Sequence, residues 1–331
     1  MKRFHLTRLQ LDGWELLLAA LLVSIFTLGM FAFPNFATPF NLSQLAAGMA
    51  EKALLVLPMV LLIIIREIDL SVASILALCS VVFGVLLQAG FGLWLSIPAT
   101  LLTGCALGAA NGFMVASLGL PSLVVTLGTM ALFRGLGYII LGSSSVNIFP
   151  AFVTDFGIGN IPGTRIPYVI VPFLALAPLF AIWLQRKPFG QRVYASGGSP
   201  AAALYSGINV NQLRFWLFVV SGAVCSIAGM VYTARLANAR ANNALGMELD
   251  VITIVFLGGV SVWGGKGRLT GVFLALALVA IIRNLLGINQ IGGDTQSMVI
   301  GLLLIGSLLL SNSTNSILSI LRNSAGLKPN G

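Results

Sequence analysis

Three stretches of this 331-residue sequence carry residue types that could do chemistry. The first is Arg66-Glu67-Ile68-Asp69-Leu70-Ser71, a charged interruption between the apolar runs 53–65 and 72–87. Asp69 or Ser71 suits a helix start, where a short side-chain oxygen accepts the first unpaired amides. The alternative is a helix broken inside a membrane, with unwound backbone lining a cavity. These residues alone specify no catalytic pairing. The second is Arg134, set in the apolar run 121–141. An arginine at mid-span is costly unless it is paired or faces water, so it belongs to a polar pathway or to a structural network. Glu51, Glu67, Asp69, Asp155, Glu248, Asp250 and Asp294 are the acids that could pair with it, and none falls at mid-span by hydropathy. The third stretch holds Glu248 and Asp250, then the glycine-rich run 257–268. It is no phosphate loop, because Gly267 follows Lys266 where Ser or Thr is required, and no strand precedes it. A short hairpin dipping into the membrane, with Trp263 near an interface, fits it better.

The elements that must position these residues are apolar. Hydrophobic residues make up 58% of the chain and charged residues 8%, with a mean hydropathy of +1.00. A soluble domain carries about 25% charged residues, so lipid is the main solvent. The apolar runs are continuous, whereas a porin-like barrel alternates in short segments. The net charge of +9 does not imply nucleic acid, because no basic cluster is interleaved with exposed aromatics. Positive charge biased toward cytoplasmic loops accounts for it. Cys79, Cys105 and Cys225 lie inside apolar runs without metal-site spacing and read as packing residues. The lone His5 has no partners for a metal site.

Span length gives about ten membrane segments: 14–33, 53–66, 71–89, 93–117, 121–141, 166–185, 213–234, 251–264, 269–287 and 295–311. The expected fold is therefore all-α and polytopic, one domain over 1–331 with both termini cytoplasmic. It comprises a basic leader 1–13, a cytoplasmic loop 185–212 and a tail 312–331. The run after the leader is too long for a signal-peptide core and reads as an uncleaved first helix. Arg235 and Arg240 break the charge pattern by falling on the outer side. Either they contact a ligand or partner, or 251–264 is re-entrant rather than spanning. Gly104, Gly108 and Gly112 form successive GxxxG steps, which let two helix backbones approach in lipid. Asn111 beside them needs a partner for its amide.

The polar island from Gln185 to Ile208 lies between membrane-length runs. Ser199-Pro200 fits an N-cap followed by proline in the first turn of a helix, Pro200 to Tyr205. A basic, small-residue loop of this size predicts a cytosolic partner that reads it.

Taken together, four stretches resemble the ribose-permease family of bacterial ABC sugar importers. Ile68-Asp69-Leu70-Ser71-Val72 resembles its IDLSVG segment. Pro121 to Thr129 with Arg134-Gly135 resembles its P-x-x-V-T-L-G-T…R-G segment. Phe189 to Gly198 with Ser206-Gly207-Ile208 resembles its cytoplasmic loop, and Glu248-Leu249-Asp250 with Gly258-Gly259 and Gly264-Gly265 its last signature. Arg66-Glu67 depart from the Gly-Gly that usually precedes IDLS. That acidic residue, Val72-Ala73-Ser74 and Leu120-Pro121-Ser122 look most similar to rhamnose-type permeases, with autoinducer-2 and pentose permeases also close.

The resemblance implies a multi-pass inner-membrane permease that works with an ABC ATPase subunit, a periplasmic sugar-binding protein and a second permease subunit, homo- or heterodimeric. It implies a transport subunit, not an enzyme, and no cofactor. Phe189, Gly190, Arg192, Tyr194, Gly197, Gly198, Ser199, Pro200, Tyr205 and Gly207 become the expected ATPase-coupling residues, with Tyr205 an apolar anchor and Arg192 a rim charge. Asn111, Thr126, Thr129, Phe133, Arg134 and Asn284 offer the contacts expected of a sugar pathway, although each also suits interhelix packing. Asp69, Ser71, Glu248 and Asp250 belong to the motifs without an assigned role. The competing class is an ion-coupled secondary sugar transporter, whose signature is inverted repeats with intramembrane ion ligands.

Overall fold

The computed structural model describes residues 12–303 together with 305 and 306; residues 1–11 of the leader and the tail 312–331 lie outside the described residues. The helices are α1 Gly13–Ala32, α2 Pro39–Gly48, α3 Ala50–Ile64, α4 Val72–Gln88, α5 Leu93–Ala116, α6 Ser122–Leu141 and α7 Ala151–Ile158. They continue as α8 Val171–Arg186, α9 Pro188–Gly198, α10 Pro200–Tyr205, α11 Val210–Leu236, α12 Met247–Leu257 and α13 Leu269–Ile288. A further helix begins at 293, and no strand forms among the described residues.

Among the described residues, six helices are long and apolar enough to cross a membrane: α1, α5, α6, α8 together with the short turn Tyr168–Ile170 before it, α11 and α13. The pair α2–α3, bent by 44°, makes a seventh if read as one span. The predicted segments 71–89 and 251–264 correspond to α4 and α12; of 295–311, the described residues belong to the helix from 293, and 304 and 307–311 lie outside the described residues. α12 has 11 residues, a rise of roughly 16 Å against a hydrocarbon core of ~30 Å. Left-handed Gly246 precedes it and Gly258 ends it, so the re-entrant alternative for this segment matches its length. Hydropathy alone merges such a half-length helix with the glycine-rich turn after it.

α3 is the hub of the fold. All 15 of its residues are buried, as a helix apolar all round from Ala53 onward should be, with Glu51 and Lys52 of its first turn held in ion pairs. It packs against α8, α11, α12 and α13. α5 and α11 pack most intimately, and the glycine steps explain how. A Cβ at Gly104 would strike the Gly222 carbonyl, one at Gly108 the Phe218 carbonyl, and one at Gly112 would lie 2.9 Å from the Phe215 carbonyl. Where the backbones meet, no side chain fits. Cys79 and Cys225 are buried free thiols in this core, and Cys105 is half-buried. α1 starts with a capping box: Glu15 accepts from the Asp12 amide at 3.0 Å.

Candidate functional site

The charged interruption at 66–71 is the linker between α3 and α4, and it collects groups from four helices. Asp69 and Ser71 are fully buried. The Ser71 amide and hydroxyl donate to Asp69 Oδ1 at 2.9 and 2.6 Å, and Ser221 of α11 donates to Oδ2 at 3.1 Å. Asn111 of α5 donates to Ser71 Oγ at 2.8 Å, which supplies the partner that its setting demands. Its own Oδ1 has no hydrogen-bond partner among the described residues. On the other side, the Ile68 amide donates to Ser122 Oγ at 3.2 Å and Thr126 donates to the Ile68 carbonyl at 3.1 Å. Glu67 pairs with Arg214 of α11 at 2.8 Å. The linker is thus both a helix boundary and a piece of non-helical backbone sunk in the core. The Ile68 amide and carbonyl and the Ser71 amide take their hydrogen bonds from protein side chains, as buried backbone requires.

The 185–212 loop folds as α9 and α10. Proline opens each helix, and Ser199 caps α10 by accepting from the Ala202 amide at 3.3 Å. Gly190 packs on the Leu184 carbonyl and Gly197 on the Ile64 carbonyl, and neither position admits a Cβ. Tyr194 donates to the Gly267 carbonyl at 2.6 Å. Burial pushes the Tyr194 phenol above its ordinary pKa, with nearby Arg268 acting the other way. The Gly265 amide donates to the Ile64 carbonyl at 2.8 Å, so the hairpin after α12 and the loop meet at the end of α3. Phe189 is half-buried against Trp183, and Arg192 is exposed. Tyr205 projects from α10 with 91% of its surface exposed. Gly207 turns the chain with φ 79°. The expected coupling residues therefore divide. Gly190, Tyr194 and Gly197 hold the loop in place, whereas Arg192 and Tyr205 face outward.

A second group forms at the other end of α3. Lys52 and Arg283 both bind the Asp250 carboxylate, at 2.7 and 2.6 Å, and Arg235 pairs with Glu51 at 2.7 Å. Arg235, which broke the charge pattern, is thus an internal ion-pair partner. Arg240 stays exposed beside a small polar cavity of about 170 Å³ with Tyr138, Ser143 and Ser144. Arg134 donates to the carbonyls of Ala241 (2.8 Å) and Asn243, with Glu248 as its charged neighbour. Asn284 and Asn41 exchange amide bonds at 2.8 and 2.9 Å.

The six expected pathway residues are not gathered around one cavity. Asn111 and Thr126 join the linker cluster, Thr129 and Phe133 are buried along α6, and Arg134 and Asn284 tie helices to loops or to each other. The larger cavity, about 560 Å³ between α2–α3, α8 and α13, is lined by apolar residues such as Met49, Phe173 and Phe273. It has none of the polar groups that orient a sugar. Sequence reading singled out Arg66 only as part of the charged interruption, without its partners, and missed Lys52, Arg283 and Ser221. Lys52 and Arg283 carried a usable signal, a charge within or bordering an apolar run, but their shared carboxylate lies far away in sequence.

Comparison with known proteins follows from this architecture. The family described as branched-chain amino acid transport system / permease component matches residues 41–308. The ribose import permease RbsC of Haemophilus influenzae is 31% identical over 290 residues, covering 84% of this chain and 87% of the relative. The autoinducer 2 import system permease LsrD of Yersinia enterocolitica is 33% identical over 304 residues (88% and 90%). The L-arabinose transport system permease AraH of Escherichia coli is 31% identical over 276 residues (83% and 84%). No solved structure matches the chain. With most of its length matched, the chain belongs to this family of transport permeases, in the ribose-permease group that its four motifs resemble.

Proposed function

We propose that the chain is the membrane-spanning subunit of an ABC importer that moves a monosaccharide from periplasm to cytoplasm across the bacterial inner membrane. The relatives take ribose, autoinducer 2, allose and arabinose by their names. For this chain we favour rhamnose or a related deoxyhexose or pentose, on the residues around the IDLS motif and at 120–122. Energy arrives from a separate ATPase docked on α10, and substrate arrives from a periplasmic binding protein. A second permease subunit completes the pathway, and both termini face the cytoplasm.

The observation that carries this reading is α10 itself. A six-residue helix presents Leu204 and Tyr205, 63% and 91% exposed, on a loop whose other helix is wedged against the end of α3. Exposed aromatic anchors on rigid supports suit insertion into a partner's groove. ATP-driven movement of that groove would swing α9–α10 and switch the pathway between outward- and inward-facing states.

The test is uptake into proteoliposomes of a mixture of labelled rhamnose, ribose and arabinose. Uptake should require the ATPase, ATP and the binding protein together. Uptake driven by an ion gradient with the permease alone would overturn the reading in favour of a secondary transporter. Mass spectrometry of the sugar carried by the purified binding protein then names the substrate.

A further inference from the structure

Arg66 breaks a local rule. α3 ends in a Schellman turn: the Glu67 amide donates to the Leu62 carbonyl at 2.9 Å and the Arg66 amide to the Ile63 carbonyl at 3.0 Å. The residue in the left-handed position of that turn is Arg66, with φ 68°. Glycine suits this position, and any Cβ strains it. Such strain persists where other contacts over-determine it. Here those contacts are at the head of the side chain. Nε donates to the Gly197 carbonyl at 2.6 Å and Nη2 to the Gly198 carbonyl at 2.7 Å.

Gly197 and Gly198 form the last turn of α9, where helix carbonyls lack intrahelical partners and carry partial negative charge. A guanidinium offers a planar fork with fixed geometry to such acceptors, and its charged bonds are the stronger kind. Beyond Arg66 the linker has little slack. Glu67 is paired to α11, Ile68 is bonded to Ser122 and Thr126 of α6, and Asp69 and Ser71 are bonded to α11 and α5. One short segment therefore joins α9 to three core helices, and Arg66 is its outer fastening.

We infer that Arg66 is a positioning residue for transport: it fastens α9 to the linker, so that movement imposed on α10 reaches α5, α6 and α11. The inference rests on the reading that an ATPase docks on α10. It concerns a residue that takes no part in docking and touches no substrate.

The decisive variants are Arg66→Gly, which restores the residue preferred at φ 68° while deleting the fork, and Arg66→Lys, which keeps the charge without the fork. Both are read in proteoliposomes holding permease, ATPase and binding protein. The quantities are sugar taken up per ATP hydrolysed, using the same labelled mixture, and ATPase retained on purification. The expected result for Arg66→Gly is a retained ATPase that hydrolyses ATP but moves about tenfold less sugar per ATP, within the usual range of coupling free energies. Arg66→Lys should fall between. A native ratio in Arg66→Gly overturns the inference, and so does loss of the ATPase, which would make Arg66 a docking residue. If Arg66→Gly fails to insert, Arg66→Lys decides alone: a reduced ratio supports the fastening and a native ratio overturns it. A native complex that takes up no sugar under ATP defeats the proposed function instead.

Discussion

The two ends of α3 are held by opposite means. At its C-terminal end the partners of the last turn and of Arg66 are backbone groups, with the Glu67–Arg214 pair set beyond them in the linker: the Gly265 amide on the Ile64 carbonyl, Gly197 pressed on the same carbonyl, and Arg66 on two carbonyls of α9. At its N-terminal end they are charged side chains, with Glu51 on Arg235 and Lys52 sharing Asp250 with Arg283. Glycine contacts fix how closely two backbones approach but leave few side-chain interactions to break when they slide. Buried ion pairs fix one arrangement, because separating them exposes bare charge to a low-dielectric interior. The contrast fits a helix whose N-terminal end is an anchor and whose C-terminal end is a joint.

Substitutions that remove a single partner test this contrast, and the largest effect belongs at the anchor. Asp250→Ala leaves Lys52 and Arg283 without their carboxylate. Breaking a buried pair from one side costs about 3–5 kcal/mol. Lys52→Met should cost far less, since Arg283 still neutralises Asp250. Thermal unfolding of the purified protein in detergent compares the two. Equal losses would show that the cluster is not a shared-carboxylate anchor.

At the joint, Gly197→Ala puts a methyl group against the Ile64 carbonyl and 2.7 Å from the Gly265 amide. Forcing extra volume into a packed contact costs about 1–3 kcal/mol. The loss should appear as earlier proteolytic cleavage within 186–209 as well as a lower melting temperature. Protection of that loop at the native level would mean that α9 is not seated on α3.

What the sequence could reveal does not follow the same divide. Beside the joint, α10 was legible, whereas the joint's own contacts through Arg66, Gly197 and Gly265 were not. The Ser199-Pro200 cap and the small-residue run predict α10, and local rules of this kind act over a few residues. The α5 glycines likewise announce a close helix contact, although not that α11 is the partner. The anchor was not legible, because Lys52 meets Asp250 across 198 positions of chain and Glu51 meets Arg235 across 184. Hydropathy treats each such charge as a defect in a span. For that reason Arg235 read as an anomaly and Arg134 as a residue in need of a carboxylate, when backbone carbonyls of the 241–243 loop receive it. For 251–264 the choice between a span and a re-entrant helix stayed open for another reason: an apolar helix and the glycine turn after it give one continuous hydropathy signal.

Between anchor and joint lies the Asp69 cluster, which sharpens the comparison. Ser221→Ala removes one of three donors to the Asp69 carboxylate and leaves those from Ser71 in place. A net loss of about 1 kcal/mol is expected, detected as a small shift in melting temperature. A loss as large as that of Asp250→Ala would extend the anchor along α11 to the linker, and the joint would then be confined to α9 and the hairpin.

The smallest stability effect is expected at Tyr205, and there the comparison is strictest. With 91% of its surface exposed, Tyr205 contributes little to the fold, and Tyr205→Ala should shift stability by no more than about 0.5 kcal/mol. If α10 is the face that receives the ATPase, the same change removes an aromatic anchor from the interface, and such anchors dominate docking. Melting temperature should therefore stay constant while the amount of ATPase co-purified with the permease falls, and ATP-driven uptake with it. Tyr205→Phe, which keeps the ring, should restore both. An alanine variant that retains its ATPase would place docking elsewhere on the protein. The joint at Arg66 would then be fastened to a helix that no partner moves.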